Sequence, residues 1–221
     1  MGNVMTRSEH SDLYRAPQFR RRISDVLAYD RNDAAAAIDR LLVAGRMPMV
    51  QAGLPAEIAV WADAARMIAA LAGQRILPAS VVSTTDRICA MPRKLFAGGD
   101  APAADRPFGA DRPFGAELAS LFRHRHSIAA GSTGFPAVAI AWSQGGLALY
   151  AKVDFSERGG PKQRYHNVLP AVAGSIPSHG LPAASKLRFD SGVLLAFADV
   201  MEATVPARRV GGAVVQPEEN Q

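Results

Sequence analysis

Cysteine is nearly missing from this chain of 221 residues, which has a single thiol at Cys89. One cysteine excludes an internal disulfide and any zinc site built on several thiolates. Because chains without disulfides are typical of reducing compartments, we expect the protein to act in the cytoplasm.

Long hydrophobic runs are also missing. No stretch approaches the ~18 uninterrupted apolar residues of a membrane helix, and the nearest candidate, Pro136 to Val153, is interrupted by Ser143 to Gly146. The polar segment 1–15 lacks the apolar core of a secretory signal. We therefore expect a soluble, intracellular protein with no membrane partner.

Aromatic residues are scarce at 7%, but hydrophobic residues make up 48% of the chain and charged residues 20%. This composition is typical of a globular protein with a real core, and the length allows one larger domain or two small ones. The formal net charge of +5 favours acidic partners such as nucleic acid or an acidic protein face. Many basic proteins bind no polyanion, so net charge alone does not identify the partner.

The order of sequence signals divides the chain into five segments. Residues 1–16 are expected to form a flexible arm, 17–96 a helical region, 97–116 a linker, 117–205 an α+β region and 206–221 a disordered tail. The predicted fold class is α+β, in which a helical N-terminal half precedes a half with a β-hairpin and a terminal helix. The pattern leaves open whether the two halves are independent domains.

About four helices are predicted in the helical region. In the third, apolar residues recur at helical spacing from Ile58 to Leu71. Proline at the first turn, Asp or Asn at the N-cap and glycine after the last turn supply the remaining boundaries. The predicted boundary residues are Pro17 for the first helix, Asn32 or Asp33 and Gly45 for the second, Pro55 and Gly73 for the third, and Ser83 or Thr84 before Pro92 for the fourth.

The linker contains a perfect tandem copy, because Ala104–Gly109 is repeated by Ala110–Gly115. Two identical hexamers are too short to be a solenoid unit, which needs ~20 or more residues. We interpret the copy as a duplication that an exposed loop tolerates.

The best strand signal runs from Pro136 to Phe155, where a turn at Gly145 and Gly146 separates two alternating segments. On the second strand Leu149, Ala151, Val153 and Phe155 share one face, while Tyr150, Lys152 and Asp154 share the other. This predicts a hairpin with one buried face. Asp190 or Ser191 is expected to cap a last helix.

Positive charge is concentrated between Arg123 and Arg188, a stretch that contains eight basic residues and two acidic ones. Cations neutralise phosphates and aromatic rings stack on bases, so this tract is suited to a polyanion. The loop from Arg158 to Asn167 is expected to extend from the hairpin as a finger, and Arg20 to Arg22 could enlarge the surface. The predicted nucleic-acid contacts are Arg123, Arg125, Lys152, Arg158, Lys162, Arg164, Tyr165, His166, Lys186 and Arg188.

The leading hypothesis is a non-catalytic subunit that binds RNA or DNA phosphates within a larger assembly. An adaptor whose basic tract meets an acidic protein is the first alternative. A hydrolase or nuclease using His124, His126 and His166 is the second, because an H-x-H pair on an extended segment would share a face. Arg123 and Arg125 would repel a metal there, so we expect no metal, no cofactor and no catalysis.

Overall fold

The computed structural model describes residues 7–49, 56–93, 112–143, 148–155, 162–168 and 185–204. These residues form an α+β fold, which confirms the predicted fold class. The helices are α1 (Arg7–Arg15), α2 (Pro17–Leu27), α3 (Arg31–Val43), α4 (Ala56–Ile76), α5 (Val81–Cys89), α6 (Phe114–Arg123), α7 (Arg125–Ala130) and α8 (Ser191–Thr204), with a 3-10 turn at Pro78–Ser80. The strands are β1 (Ala137–Trp142), β2 (Ala148–Asp154), β3 (Lys162–Val168) and β4 (Ser185–Phe189).

The expected flexible arm differs from the structure, because residues 7–15 form helix α1. Tyr14 is buried, and its hydroxyl donates a 2.9 Å hydrogen bond to Oδ2 of Asp63 on α4. Such a contact ties the helix to the core although its sequence is mostly polar. That polarity left no apolar period from which to predict it.

Helices α2 and α3 begin near their predicted starts. Proline opens α2 at Pro17, as expected. The cap of α3 is Asp30, not Asn32 or Asp33, because the Asp30 carboxylate accepts hydrogen bonds from both of those backbone N–H groups at 2.9 and 3.0 Å. The predicted type of capping residue was right, but the predicted position was two or three residues too late.

Helix α4 continues through Gly73, where the sequence predicted its end. A Cβ atom at Gly73 would lie 3.3 Å from the Val81 carbonyl oxygen, so the glycine permits α5 to pack closely on α4. Helix α5 follows the 3-10 turn and begins at Val81, slightly before its predicted start.

The predicted linker returns to the core before its expected end. The Phe114 N–H donates a 2.9 Å hydrogen bond to the Met91 carbonyl, and the Phe114 ring is fully buried. Residues 114–116 therefore belong to α6, while the rest of the linker up to 111 and the tail 206–221 lie outside the described residues. One hydrophobic cluster extends from Tyr14 to Met201, so the two halves share a core.

The four strands form an antiparallel sheet in the order β3-β2-β1-β4. Strands β1 and β2 form the predicted hairpin. Strand β3 begins inside the segment expected to be a flexible loop, and β4 was not predicted. Helix α8 starts at Ser191, directly after Asp190, which confirms the predicted start of the terminal helix.

The sheet has two unlike faces. The inner face carries Val138, Ile140 and Val153, which belong to the same hydrophobic cluster as the helices. The opposite side of the sheet, which we call the outer face, carries the alternate positions, among them Tyr150, Lys152, Lys186 and Arg188. No helix in the described part of the chain is long and apolar enough to cross a membrane.

Candidate nucleic-acid interface

Strand alternation determines which residues of the basic tract lie on the outer face. On β2, Leu149, Ala151 and Val153 are fully buried, so Tyr150 and Lys152 lie on the opposite side of the sheet. On β4, Lys186 and Arg188 are exposed and alternate with the buried Phe189 and half-buried Leu187. On β3, Tyr165 is buried, so residues 164 and 166 occupy outer-face positions.

The strand register aligns these positions in rows across the sheet. Rows are about 7 Å apart, and four strands span about 14 Å. One row holds Arg164, Lys152, Ala139 and Arg188, and the next holds His166, Tyr150, Ala141 and Lys186. Lys162 pairs with Asp154 in a third row. Five basic residues from three different strands therefore occupy positions on one face of the sheet.

Strand β1, one of the two central strands, contributes only alanines to this face. Ala137, Ala139 and Ala141 are buried. The atoms that the described part of the outer face offers to a ligand therefore belong to the longer side chains of the flanking strands.

Two of the outer-face cations have acidic neighbours. Lys152 forms an ion pair with Asp154, and Nε of Arg188 lies 2.8 Å from Oδ1 of Asp190. The Arg188–Asp190 pair is exposed and therefore weak, so a phosphate can compete for Arg188. The side chains of Lys152 and Asp154 are only 25% and 12% exposed, so that pair is held more firmly. Lys186 is exposed beside them. The outer face thus keeps a net positive charge.

Tyr165 does not have the predicted role. Its side chain is only 1% exposed, and its ring lies 5.3 Å from the Phe114 ring in an edge-on contact. Burial is also the main cause that raises the pKa of its phenol. A ring buried on the inner face cannot stack on a base. Tyr150, which was not among the predicted contacts, is half-buried at an outer-face position.

Arg125 is likewise part of the core. Its side chain is 2% exposed, and its guanidinium pairs with Asp199 and Glu202 on α8. The guanidinium carbon lies 4.9 Å from the centroid of the Trp61 ring. A cation held in this way joins α7 to α8 and α4, and it is not available to a ligand.

The remaining predicted contacts lie elsewhere. Arg123 is exposed at the end of α6, in the helical layer and away from the outer face. Arg158 lies outside the described residues. Arg20 pairs with Asp39, and α2 packs on α8 and α3, with Arg21 and Arg22 exposed. The arginines of α2 therefore do not enlarge the outer face.

The histidine pair does not adopt the predicted geometry. His126 lies in α7, and His124 lies in the turn between α6 and α7 with φ −102° and ψ 17°, so neither residue is extended. Among the described residues, His126 groups instead with Asp199 and Glu202, whose ligand atoms all lie within 4.8 Å of one another. Both carboxylates already contact the Arg125 cation, which opposes a second cation at this place.

The outer-face position of Tyr150 could be predicted from the sequence. Alternation along β2 placed it opposite the apolar face, whereas the face on which Tyr165 lies could not be predicted without knowing that β3 forms.

The chain matches no protein-family model, no curated protein and no solved structure.

Proposed function

We propose that the protein is a non-catalytic subunit that binds the phosphate backbone of a nucleic acid through the outer face of its sheet. The observation that carries this proposal is the strand register, which aligns Lys152, Arg164 and Arg188 in one row and puts Lys186 in the next. Clustered cations neutralise phosphates and release bound counterions. A polyanion is therefore the ligand that this surface fits.

A binding role is also favoured over catalysis by the arrangement of the titratable groups. Both carboxylates of the His126 group are held in ion pairs by Arg125. Desolvation raises the pKa of the half-buried Cys89 thiol to about 11, which disfavours the reactive thiolate. We place this binding activity within a larger assembly, and in the cytoplasm because the single cysteine is typical of a reducing compartment.

The first test is the salt dependence of binding to a labelled single-stranded RNA. Lys162→Glu combined with Arg164→Glu should weaken binding, because two contacts on β3 become repulsive. Since each lost phosphate contact removes about 0.7 from the slope of log K against log salt, the slope should become shallower by about 1.4.

The matched control is Arg21→Glu combined with Arg22→Glu. It changes the net charge of the protein by the same amount, but both residues are exposed on α2, away from the outer face. The control should retain the wild-type slope. Equal loss in both double variants would mean that net charge, not the outer face, drives binding.

The adaptor alternative predicts a different result. Wild-type protein would purify with the 260/280 nm absorbance ratio of a protein without bound nucleic acid. It would elute from a heparin column at low salt. It would also bind the labelled RNA no better than the Lys162→Glu, Arg164→Glu variant. That outcome would overturn the proposal and direct the search to an acidic protein partner.

A further inference from the structure

We infer that the outer face binds single-stranded nucleic acid, with Tyr150 as the platform on which a base stacks. This inference rests on the proposed function and adds the class of nucleic acid and a residue that recognises the base. It depends on the position of one aromatic side chain relative to the rows of cations.

Tyr150 is the one Tyr, Phe or Trp residue at an outer-face position of the four described strands. It lies between Leu149 and Ala151, both fully buried, so the alternation of the strand directs it away from the core. Its intermediate burial leaves part of the side chain accessible. An aromatic side chain on a basic sheet face is suited to base stacking, because every base has a π-face.

The neighbours of Tyr150 fit a backbone that passes over the sheet. In register it lies beside Ala141 on β1, with Lys186 next across the row, and its partner on β3 is His166. Lys152 occupies the same strand face one row away, about 7 Å along β2. A base on Tyr150 would therefore place its own phosphate and the next one near these two lysines.

A single strand fits the described part of this face better than a duplex does. Proteins read duplex grooves by inserting a helix or a ribbon, or by spanning phosphates across a groove. The sheet is about 14 Å wide, and β1 contributes buried alanines to its outer face. The described part of this face carries no projecting helix. Single strands expose their bases to such surfaces, where aromatic side chains stack on them.

The test compares Tyr150→Leu with Tyr150→Phe against three labelled ligands of equal length. These are a single-stranded RNA, the DNA of the same sequence, and an abasic DNA strand that keeps the phosphates and lacks the bases. Tyr150→Leu should weaken binding of base-bearing strands by about 5- to 100-fold and leave the abasic strand within about twofold. Tyr150→Phe keeps the ring and should bind as the wild type does.

Lys186→Glu is the matched comparison for the phosphate contribution. It should weaken binding of the abasic and base-bearing strands by similar factors, whereas Arg22→Glu, with the same charge change on α2, should weaken neither. The RNA and DNA arms show which sugar the surface prefers. Urea unfolding of each variant verifies that the comparison is made between folded proteins.

The outcomes separate the two proposals. If Lys186→Glu weakens binding and Tyr150→Leu does not, or weakens the abasic strand equally, the stacking inference is wrong and the proposed function stands. Tighter binding of the duplex than of the single strand also overturns the inference. If none of the outer-face variants changes binding, the proposed function fails with it.

Discussion

The ion cluster at Arg125 leads to an asymmetry that stability measurements can detect. The Arg125 side chain is 2% exposed, whereas its partners Asp199 and Glu202 are 62% and 58% exposed. Water therefore reaches the two carboxylates when the guanidinium is removed. Water does not reach the guanidinium when the carboxylates are removed. The two perturbations break the same ion pairs and leave different groups without a partner.

The expected magnitudes follow from this difference. Asp199→Asn combined with Glu202→Gln leaves a buried cation without its two compensating negative charges, since the new amide oxygens and the Phe122 carbonyl at 3.4 Å are neutral acceptors. An uncompensated buried charge costs about 3–5 kcal/mol. Arg125→Met loses the ion pairs and the cation–π contact with Trp61, but the carboxylates rehydrate and methionine fills part of the volume. Its cost should be about 1–3 kcal/mol.

The assay is urea unfolding at neutral pH, followed by circular dichroism at 222 nm, on the wild type, the Arg125→Met variant, the double carboxylate variant and the triple variant. The triple variant should be more stable than the double variant, because removing Arg125 removes the charge that had lost its partners. A double variant as stable as the wild type would refute the reasoning. So would a triple variant that is less stable than the double one.

Two further predictions concern the helical core. Burial raises the pKa of Asp63 from 3.8 to about 7 although Tyr14 donates a hydrogen bond to it, so the native state keeps a proton that the unfolded chain releases near pH 4. The unfolding free energy should therefore fall by about 3 kcal/mol between pH 4 and 7 relative to Asp63→Asn, and parallel pH profiles of the two proteins would contradict this. Gly115→Ala would place a Cβ 2.8 Å from Cβ of Cys89 and should destabilise the protein by about 1–3 kcal/mol. Gly192→Ala, with nothing within 4 Å, should be neutral or stabilise by about 0.5–1 kcal/mol, and equal urea midpoints for the two alanine variants would be the contrary result.

Elements with a strong apolar period were predicted from the sequence, and elements that depend on a partner were not. Helix α2 and the β1–β2 hairpin carry their own pattern, so the alternation along β2 identified both of its faces. Strand β3 has the sequence KQRYHNV, in which the inner-face positions 163, 165 and 167 hold one aromatic residue, Tyr165, between two amides. Its seven residues pair with β2, and that pairing is a tertiary contact which local propensity does not report.

The charge pattern of the sequence located the basic tract, but it did not show which of its residues lie on the outer face. The basic tract was recognised as a whole, and the outer face does collect Lys152, Lys186 and Arg188. Arg125 carries the same formal charge but lies in the core, because two acidic residues more than seventy positions later in the chain compensate it there. Counting charges along a sequence cannot distinguish these cases, since the acidic partners become neighbours only in the folded chain.

The second copy of the tandem hexamer shows how the residues that follow a segment contribute to its structure. This copy ends in Phe114 and Gly115, and these residues open α6 because Ala116 to Phe122 continue with an apolar helical period. Pro113 forms the N-cap of α6 in extended backbone conformation, so the copy supplies both the cap and the first residues of the helix. The Phe114 ring is fully buried and its N–H donates a hydrogen bond to the Met91 carbonyl. A segment that reads as a linker by composition is therefore drawn into the core by the apolar helix that follows it.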